Sequence, residues 1–327
     1  IMVNLVECSS STSIHSGRIS GVINVYWPRE GFKPGRARID ILNTGLFTIS
    51  SPHGNYILSN VPDGQHTITV SKHGYLLAQK IINVVEGEKV TDINFDLMVD
   101  EPGEKFRLGS VTYLGFNINY PPFDNLKVRQ ALNYAIDKQT LLDKFDSKFG
   151  YKPGTAQGPI PPGMMGFNPK LVRYSYDINK ANELLSQAGY PKGFSIALYC
   201  NKEGSVDEFI TKEVKKNLAK IGIKVDIKGE KCSELHKMVE QDKLPFFVMG
   251  WGADTPDPAD YLYSLYHSKS SSNSVNYYNS MIDNRIEQAW GMMDDEKFVQ
   301  MIQQIESPIV DNAPAIYIYH ITYTFKK

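Results

Sequence analysis

Hydrophobic periodicity changes once along this chain, near residue 100, and that change limits the fold more than any single motif. Between residues 17 and 99, apolar and polar residues alternate in short runs. The clearest are GRISGVINVY, RARIDIL, GLFTIS, NYILS, HTITVS and INFDLM. A period of two is that of a half-buried strand. Turn chemistry separates the runs at Pro34-Gly35, Pro52-His53-Gly54, Pro62-Asp63-Gly64 and Glu86-Gly87. Many short strands without helical periodicity predict an all-β sandwich over residues 17–99. Residues 1–16 are expected to form a flexible tail. The polar, turn-prone run Asp100-Glu101-Pro102-Gly103-Glu104-Lys105 is expected to be a linker, 100–105.

From residue 106 to 327 strands and helices alternate, which predicts an α/β domain. Val111–Asn117 reads as a strand. Val128, Ala131, Leu132, Ala135, Ile136, Leu141, Leu142 and Phe145 then recur at helical spacing on one apolar stripe. A helix over 178–188 has Asp177 as its expected N-cap and Gly189 just beyond its C-terminus. Strands are expected at 194–199 and 223–227, with a helix at 206–221 between them. Phe246–Met249 is short and wholly apolar, as a central strand buried on both faces would be. Helices at 281–292 and 295–311 and a strand at 315–319 complete the pattern.

Composition narrows the function. A length of 327 residues suits about two domains. Lys and Arg total 35 against 36 Asp and Glu, a net charge of -1, which leaves no general basic face for nucleic acid. No window approaches the roughly 18 apolar residues of a membrane-spanning helix. Cys8, Cys200 and Cys232 are too few and too scattered for a disulfide scaffold or a CxxC-type zinc site. The first residues, IMVNLVECSSSTS, have neither the basic flank nor the apolar core of a signal peptide. Alternation does not bring His53, His66 and His73 to one face. Glu234, His236 and Glu240 lie within helical reach but read as a solvated face, so no metal is expected. HExxH, GxSxG, GxxxxGK[ST] and GxGxxG are all missing, and no nucleophile is paired with a base. Neither an enzyme nor a cofactor is expected.

Two stretches resemble known families. Gly54-Asn55-Tyr56, Val61-Pro62-Asp63-Gly64 and Gly74-Tyr75 stand in the order found in the carboxypeptidase regulatory-like domain. The resemblance implies a prealbumin-like β-sandwich without catalytic machinery. Further on, Tyr113-Leu114-Gly115-Phe116-Asn117, Pro122-Phe123-Asp124-Asn125 and Val128-Arg129-Gln130-Ala131-Leu132-Asn133-Tyr134-Ala135-Ile136-Asp137 carry a second one. Tyr176-Asp177, Ala188-Gly189-Tyr190-Pro191, Ile221-Gly222-Ile223, Gly250-Trp251-Gly252-Ala253-Asp254, Asp257-Pro258, Tyr277 and Asp283 extend it. This order resembles extracytoplasmic solute-binding proteins of the oligopeptide/dipeptide/nickel class.

That second resemblance implies a C-terminal α/β lobe of the periplasmic-binding-protein type II-like fold. Family members close two lobes over a ligand. Here the N-terminal lobe is expected to be absent, with the β-sandwich in its place. The implied function is non-enzymatic binding of a peptide or other small solute, outside the cytoplasm (periplasmic or cell-surface). The implied partners are an ABC-transporter permease and a chain that supplies the missing lobe. In the family pattern Asp254 pairs with a ligand α-amino group. Gly250, Trp251, Gly252 and Ala253 form a strand edge that hydrogen-bonds the peptide backbone. Apart from the family pattern, Tyr277 is a candidate ligand residue in an aromatic stretch with Tyr261, Tyr263, Tyr266 and Tyr278, which suits stacking on a peptide or sugar and equally suits the lobe core. Val248 stands where some oligopeptide binders carry a basic residue. Half a clamp is expected to bind at millimolar strength or not at all. Two other readings are a surface-interaction, adhesion or scaffold protein that docks partners on this lobe, and a nickel or oligosaccharide receptor fragment. The runs Ser9–Ser13 and Ser268–Ser274 are expected to be flexible.

Overall fold

A computed structural model describes residues 16–27, 31–51, 53–85, 87–98, 107–171, 173–253, 255 and 257–324. The chain divides into two compact units, Ile1–Asp100 and Glu101–Lys327.

The described part of the first unit contains strands only: β1 (Gly17–Trp27), β2 (Gly31–Pro34), β3 (Arg38–Ile41), β4 (Phe47–Ile49), β5 (Asn55–Val61), β6 (Gly64–Ser71), β7 (Ala78–Val84), β8 (Lys89–Val90) and β9 (Phe95–Leu97). β1 pairs antiparallel with β2 and β5 and parallel with β8 and β9. A second sheet runs in the order β4-β3-β6-β7. One apolar core joins the two, with Ile19, Ile23, Tyr56 and Leu58 from the first sheet and Ile39, Ile41, Ile68 and Val70 from the second. Period-two alternation sends these residues inward, while Thr67 and Thr69 of β6 face out opposite exposed β7 residues such as Ile81. Apolar residues on both faces of β7 hid this strand from a search for alternation. Gly54, Gly64 and Gly74 take left-handed φ of 72, 119 and 80°, where a side chain would be strained.

The second unit has six strands and eight helices among its described residues. In chain order they are β10 (Arg107–Phe116), α1 (Leu126–Ala135), α2 (Lys138–Phe149), β11 (Gly154–Thr155), α3 (Ile178–Gln187), β12 (Ser195–Asn201), α4 (Ser205–Ala219), β13 (Lys224–Glu230), α5 (Cys232–Glu240), β14 (Phe246–Gly252), α6 (Pro258–Tyr266), α7 (Ser280–Ala289), α8 (Asp295–Asp311) and β15 (Ala315–Thr324). The sheet order is β11-β15-β10-β14-β12-β13. β12 runs parallel to β13 and β14, while β10 runs antiparallel to β14 and β15. One face packs Leu114, Phe116, Phe246, Val248, Ile316 and Ile318 against helices α1 to α4. On the opposite face β15 meets α6, where Tyr266 and Tyr317 join hydroxyls at 2.8 Å.

Several elements differ from the sequence pattern for identifiable reasons. The stripe from Val128 to Phe145 is two helices, because Ile136 turns extended and Asp137 caps α2 by accepting from Thr140 N at 3.0 Å. Asp177 caps α3 as expected, accepting from Lys180 N at 2.9 Å. Asp257-Pro258 opens helix α6, with the Asp257 carboxylate accepting from Ala259 N at 2.8 Å and Pro258 in the first turn. Ser268–Asn276 is pinned in place. Asp283 accepts from both Ser268 N (3.0 Å) and Ser268 Oγ (2.6 Å), and Asn273 exchanges bonds with Tyr277. Ser9–Ser13, with the rest of residues 1–15, lies outside the described residues.

Beyond β11 the chain runs through Pro159, Pro161 and Pro162, which cannot donate to a ladder. Side chains hold this segment instead. Lys138 Nζ donates to Ala156 O (3.1 Å), His320 Nε2 to Gly158 O (3.0 Å) and Thr322 Oγ1 to Pro162 O (3.4 Å). Glu306 Oε1 accepts from Ile160 N at 3.1 Å. Lys138, Glu306 and His320 are all buried. Burial pushes the Glu306 carboxyl up to about 8, and brings the Lys138 ammonium down to about 8 and the His320 imidazole down to about 4.

Candidate strand-edge binding site

β14 begins in the core and ends at the surface. Phe246, Phe247 and Val248 are buried, Met249 and Trp251 half-buried, and Gly250 and Gly252 exposed. Its register with β10 pairs Val111 with Trp251, Thr112 with Gly250 and Ser110 with Gly252. Ala253 N donates to Gly109 O at 2.9 Å, which sets the phase of the ladder. Antiparallel strands alternate bonded and non-bonded pairs. Ladder bonds therefore fall on Trp251 and Ala253, and the N–H and C=O groups of Gly250 and Gly252 point away from β10. On that side β12 pairs with β14 only at Tyr199 and Phe247. Past Val248 the strand edge is open, with no bonded partner among the described residues.

Nothing in the fold requires glycine at these two positions. Neither has a positive φ. A Cβ on Gly252 would meet nothing within 4 Å, and one on Gly250 would make only ordinary contacts, 3.8 Å to Val111 O and 3.9 Å to Thr112 Oγ1. Glycine in a strand that the chain itself does not crowd marks close approach by another backbone or a ligand.

The end of the strand is held firmly. Tyr261, buried in α6, donates its hydroxyl to Trp251 O at 3.1 Å. Burial raises the Tyr261 phenol, so it keeps its proton and remains a donor. Ala253 is buried, as is Thr255. Asp254 and Pro256 lie outside the described residues. Gly250, Trp251 and Gly252 thus lie along one edge of β14, with Ala253 continuing it.

Other sequence-derived candidates fall elsewhere. Tyr277 is 4 % exposed, stacked edge-on against Tyr266 at 5.8 Å and bonded through its backbone to Asn273. None of its described contacts is with residues 250–253, so it belongs to the core rather than to the edge. Tyr261 and Tyr266 are buried as well, while Tyr278 is exposed. Val248 faces the core of α1 to α4 at 1 % exposure, which removes it from any ligand contact. His236 lies on α5 with Nδ1 2.9 Å from Cys232 O one turn earlier. No group of three metal-capable side chains occurs among the described residues.

Comparison with known proteins adds the family context. The model of the bacterial extracellular solute-binding proteins, family 5 Middle, matches residues 76–273, more than half of the chain and starting within the first unit. The chain is 30% identical over 217 residues to heme-binding protein A of Haemophilus influenzae, covering 64% of this chain and 39% of that protein. It is 30% identical over 220 residues to the dipeptide-binding protein of Escherichia coli, covering 65% and 41%. The chain therefore spans 39% to 41% of the length of these curated relatives. The oligopeptide-binding protein AppA from Bacillus subtilis, solved with a nonapeptide, superposes with a TM-score of 0.59 at 24% identity, covering 66% of this chain and 46% of AppA. HbpA2 from Haemophilus parasuis superposes with a TM-score of 0.61 at 20% identity, covering 80% and 57%. Likeness at these two identities is likeness of fold, that of the periplasmic binding proteins.

Proposed function

The chain belongs to the bacterial extracellular solute-binding proteins of family 5, whose members are non-enzymatic receptors, and we propose that its second unit is a peptide-binding lobe. The observation that carries this reading is the open β14 edge. Gly250 and Gly252 present outward backbone donors and acceptors with no side chain in the way, which suits an added peptide strand. Asp254, next to that edge in sequence, is the residue we assign to the ligand's α-amino group, as a carboxylate meeting three ammonium donors. The relative named as a dipeptide-binding protein supports a peptide over nickel or an oligosaccharide.

The same reading places the protein outside the cytoplasm, working with an ABC-transporter permease and with a second lobe that covers the far side of the peptide. The first unit, residues 17–99, is on this reading a carboxypeptidase regulatory-like β-sandwich, joined to residues 106–327 by the linker 100–105. Two sheets around one core, with left-handed Gly54, Gly64 and Gly74 in the motif positions, support that assignment.

The test is a titration of the isotope-labelled full chain with the dipeptide Ala-Phe, followed by amide shifts. Shifts at Gly250 and Gly252 with a millimolar dissociation constant are expected, and N-acetyl-Ala-Phe binds more weakly because it has no ammonium. Gly252→Val removes binding and leaves the unfolding transition in place, since its side chain meets open space. Unmoved Gly250 and Gly252 amides, or a valine variant that binds like the wild type, would sink the reading. A docking surface for a folded protein is the reading that then gains.

A further inference from the structure

We propose that Asp260 is a positioning residue for the ligand edge, tying Thr255, two residues past the edge residue Ala253, to Trp290. The inference rests on the peptide reading of that edge. The first turn of α6 touches the chain on both sides of position 254. Before it, Tyr261 donates to Trp251 O. After it, Thr255 Oγ1 donates to Asp260 Oδ2 at 3.4 Å. The other carboxylate oxygen, Asp260 Oδ1, accepts from the indole Nε1 of Trp290 at 2.9 Å. Asp257, only 2 % exposed, caps the same helix. Trp251 and Thr255 are therefore both fastened to one helical turn.

The anchor is stiff at its far end too. Trp290 is buried just beyond α7, and its ring lies 5.2 Å from that of Tyr263, which in turn lies 4.3 Å from the ring of His267. His267 is wholly buried and bonds Glu287 Oε1 at 3.2 Å. Trp290 thus has little freedom to follow Asp260, and the carboxylate sits where the indole N–H fixes it. A carboxylate in the first turn of a helix is also favoured by the helix dipole. Asp260 links two rigid bodies, the α6 start and the Trp290 stack, to the one residue, Thr255, that follows the assigned ligand carboxylate. Nothing about the sequence pattern points to it, because Asp260 lies there in the aromatic stretch that follows the Asp257-Pro258 turn.

The experiment compares Thr255→Val, which keeps shape and loses the hydroxyl, with Thr255→Ser, which keeps the hydroxyl, and adds Asp260→Ala and Asp260→Asn. Ala-Phe is titrated into each full-length variant, and amide exchange at Ala253 is followed without ligand. Thr255→Val and Asp260→Ala are expected to weaken Ala-Phe about fivefold, as one lost hydrogen bond would, and to speed Ala253 exchange. Thr255→Ser restores both, and Asp260→Asn restores most of the affinity because its amide oxygen still accepts from Trp290. A protein that is merely less stable would not separate valine from serine in this way. Wild-type chain with no shifts at Gly250 and Gly252 defeats the peptide reading and this inference with it. Wild-type shifts matched by equal affinity in Thr255→Val and Asp260→Ala overturn the inference alone. Valine and serine variants that weaken binding equally also overturn it. If Asp260→Ala fails to fold, the Thr255 pair decides.

Discussion

Replacing Glu306 by Gln should change the sign of its effect on stability between acid and alkaline solution. The carboxyl is 2 % exposed, and its one protein bond is Oε1 accepting from Ile160 N at 3.1 Å, while Oε2 has no partner among the described residues. Buried phenols of Tyr261, Tyr266 and Tyr317 interact with it electrostatically, and among the described residues no cation offsets its charge. Burial therefore raises it from 4.5 to about 8. Between those values the folded chain keeps a proton that the unfolded chain has released. Stability is full below 4.5 and falls as pH rises through that window until about 8. At 1.36 kcal/mol per pH unit the full span of 8 − 4.5 = 3.5 units amounts to about 5 kcal/mol, an upper figure. A glutamine still accepts from Ile160 N but has no proton to lose, and its extra donors cost about 1–3 kcal/mol if left unpaired. Glu306→Gln is thus expected to be the less stable protein at pH 5 and the more stable at pH 9. Urea unfolding at pH 5, 7 and 9, read by the fluorescence of Trp251 and Trp290 in the second unit, measures the difference. A difference that stays flat across this range refutes the assignment of a buried neutral carboxyl.

Two further outcomes follow from the same packing. His320, lowered to about 4 from 6.5 by burial, stays neutral in the folded chain while the unfolded chain takes up a proton. Stability is then lost as pH falls from 6.5 to 4, by about 3 kcal/mol, and His320→Gln should flatten this limb in the same urea series. Asp137→Ala removes the cap that bonds Thr140 N at 3.0 Å and Thr140 Oγ1 at 2.7 Å, and should cost about 1 kcal/mol. Thermal unfolding at neutral pH checks it, and an unchanged midpoint would show that the α1–α2 break does not depend on the cap.

Local signals in the sequence are sound where the partner lies nearby in the chain. The Asp177 cap, alternating strands of the first unit such as β5 and β6, and the helices expected over 178–188 and 295–311 follow from spacing of a few residues. The α1–α2 break was masked because Ile136 continues the apolar stripe, although the capping Asp137 beside it was the available signal. Asp257-Pro258 reads equally well as a turn, and only the packing of Tyr261 and Tyr266 into the core makes it a helix start. The Ser268–Ser274 run looks flexible by composition, yet Asp283, more than ten residues away, fastens Ser268, and Tyr277 fastens Asn273. Lys138, Glu306 and His320 read as ordinary polar positions. Their burial is decided by three prolines between them in the chain, which leave backbone carbonyls and one amide for side chains to satisfy. For the site, the motif around Trp251 located the edge. That Gly250 and Gly252 face outward is fixed by the phase of the β10 ladder, which no sequence spacing encodes.

That phase also limits what the edge can hold alone. Gly250 and Gly252 offer four outward backbone groups, each contributing about 0.5–1.5 kcal/mol net when bonded, or roughly 2–6 kcal/mol together. Association costs at least about 4 kcal/mol in lost translational and rotational freedom. A charge-assisted bond at Asp254 adds about 1.5–3 kcal/mol when shielded from water, and much less when one side faces solvent. The balance lies near zero to a few kcal/mol, and millimolar binding corresponds to about 4 kcal/mol. An open strand edge of two glycines therefore selects a backbone and sets its register without holding it for long. Tight binding requires a second surface that closes on the outer side of the peptide, bonds its remaining backbone groups and excludes water from Asp254. The same surface would raise the effect of the Thr255–Asp260–Trp290 anchor, because a charge bond in a dry site depends more steeply on position than one in water.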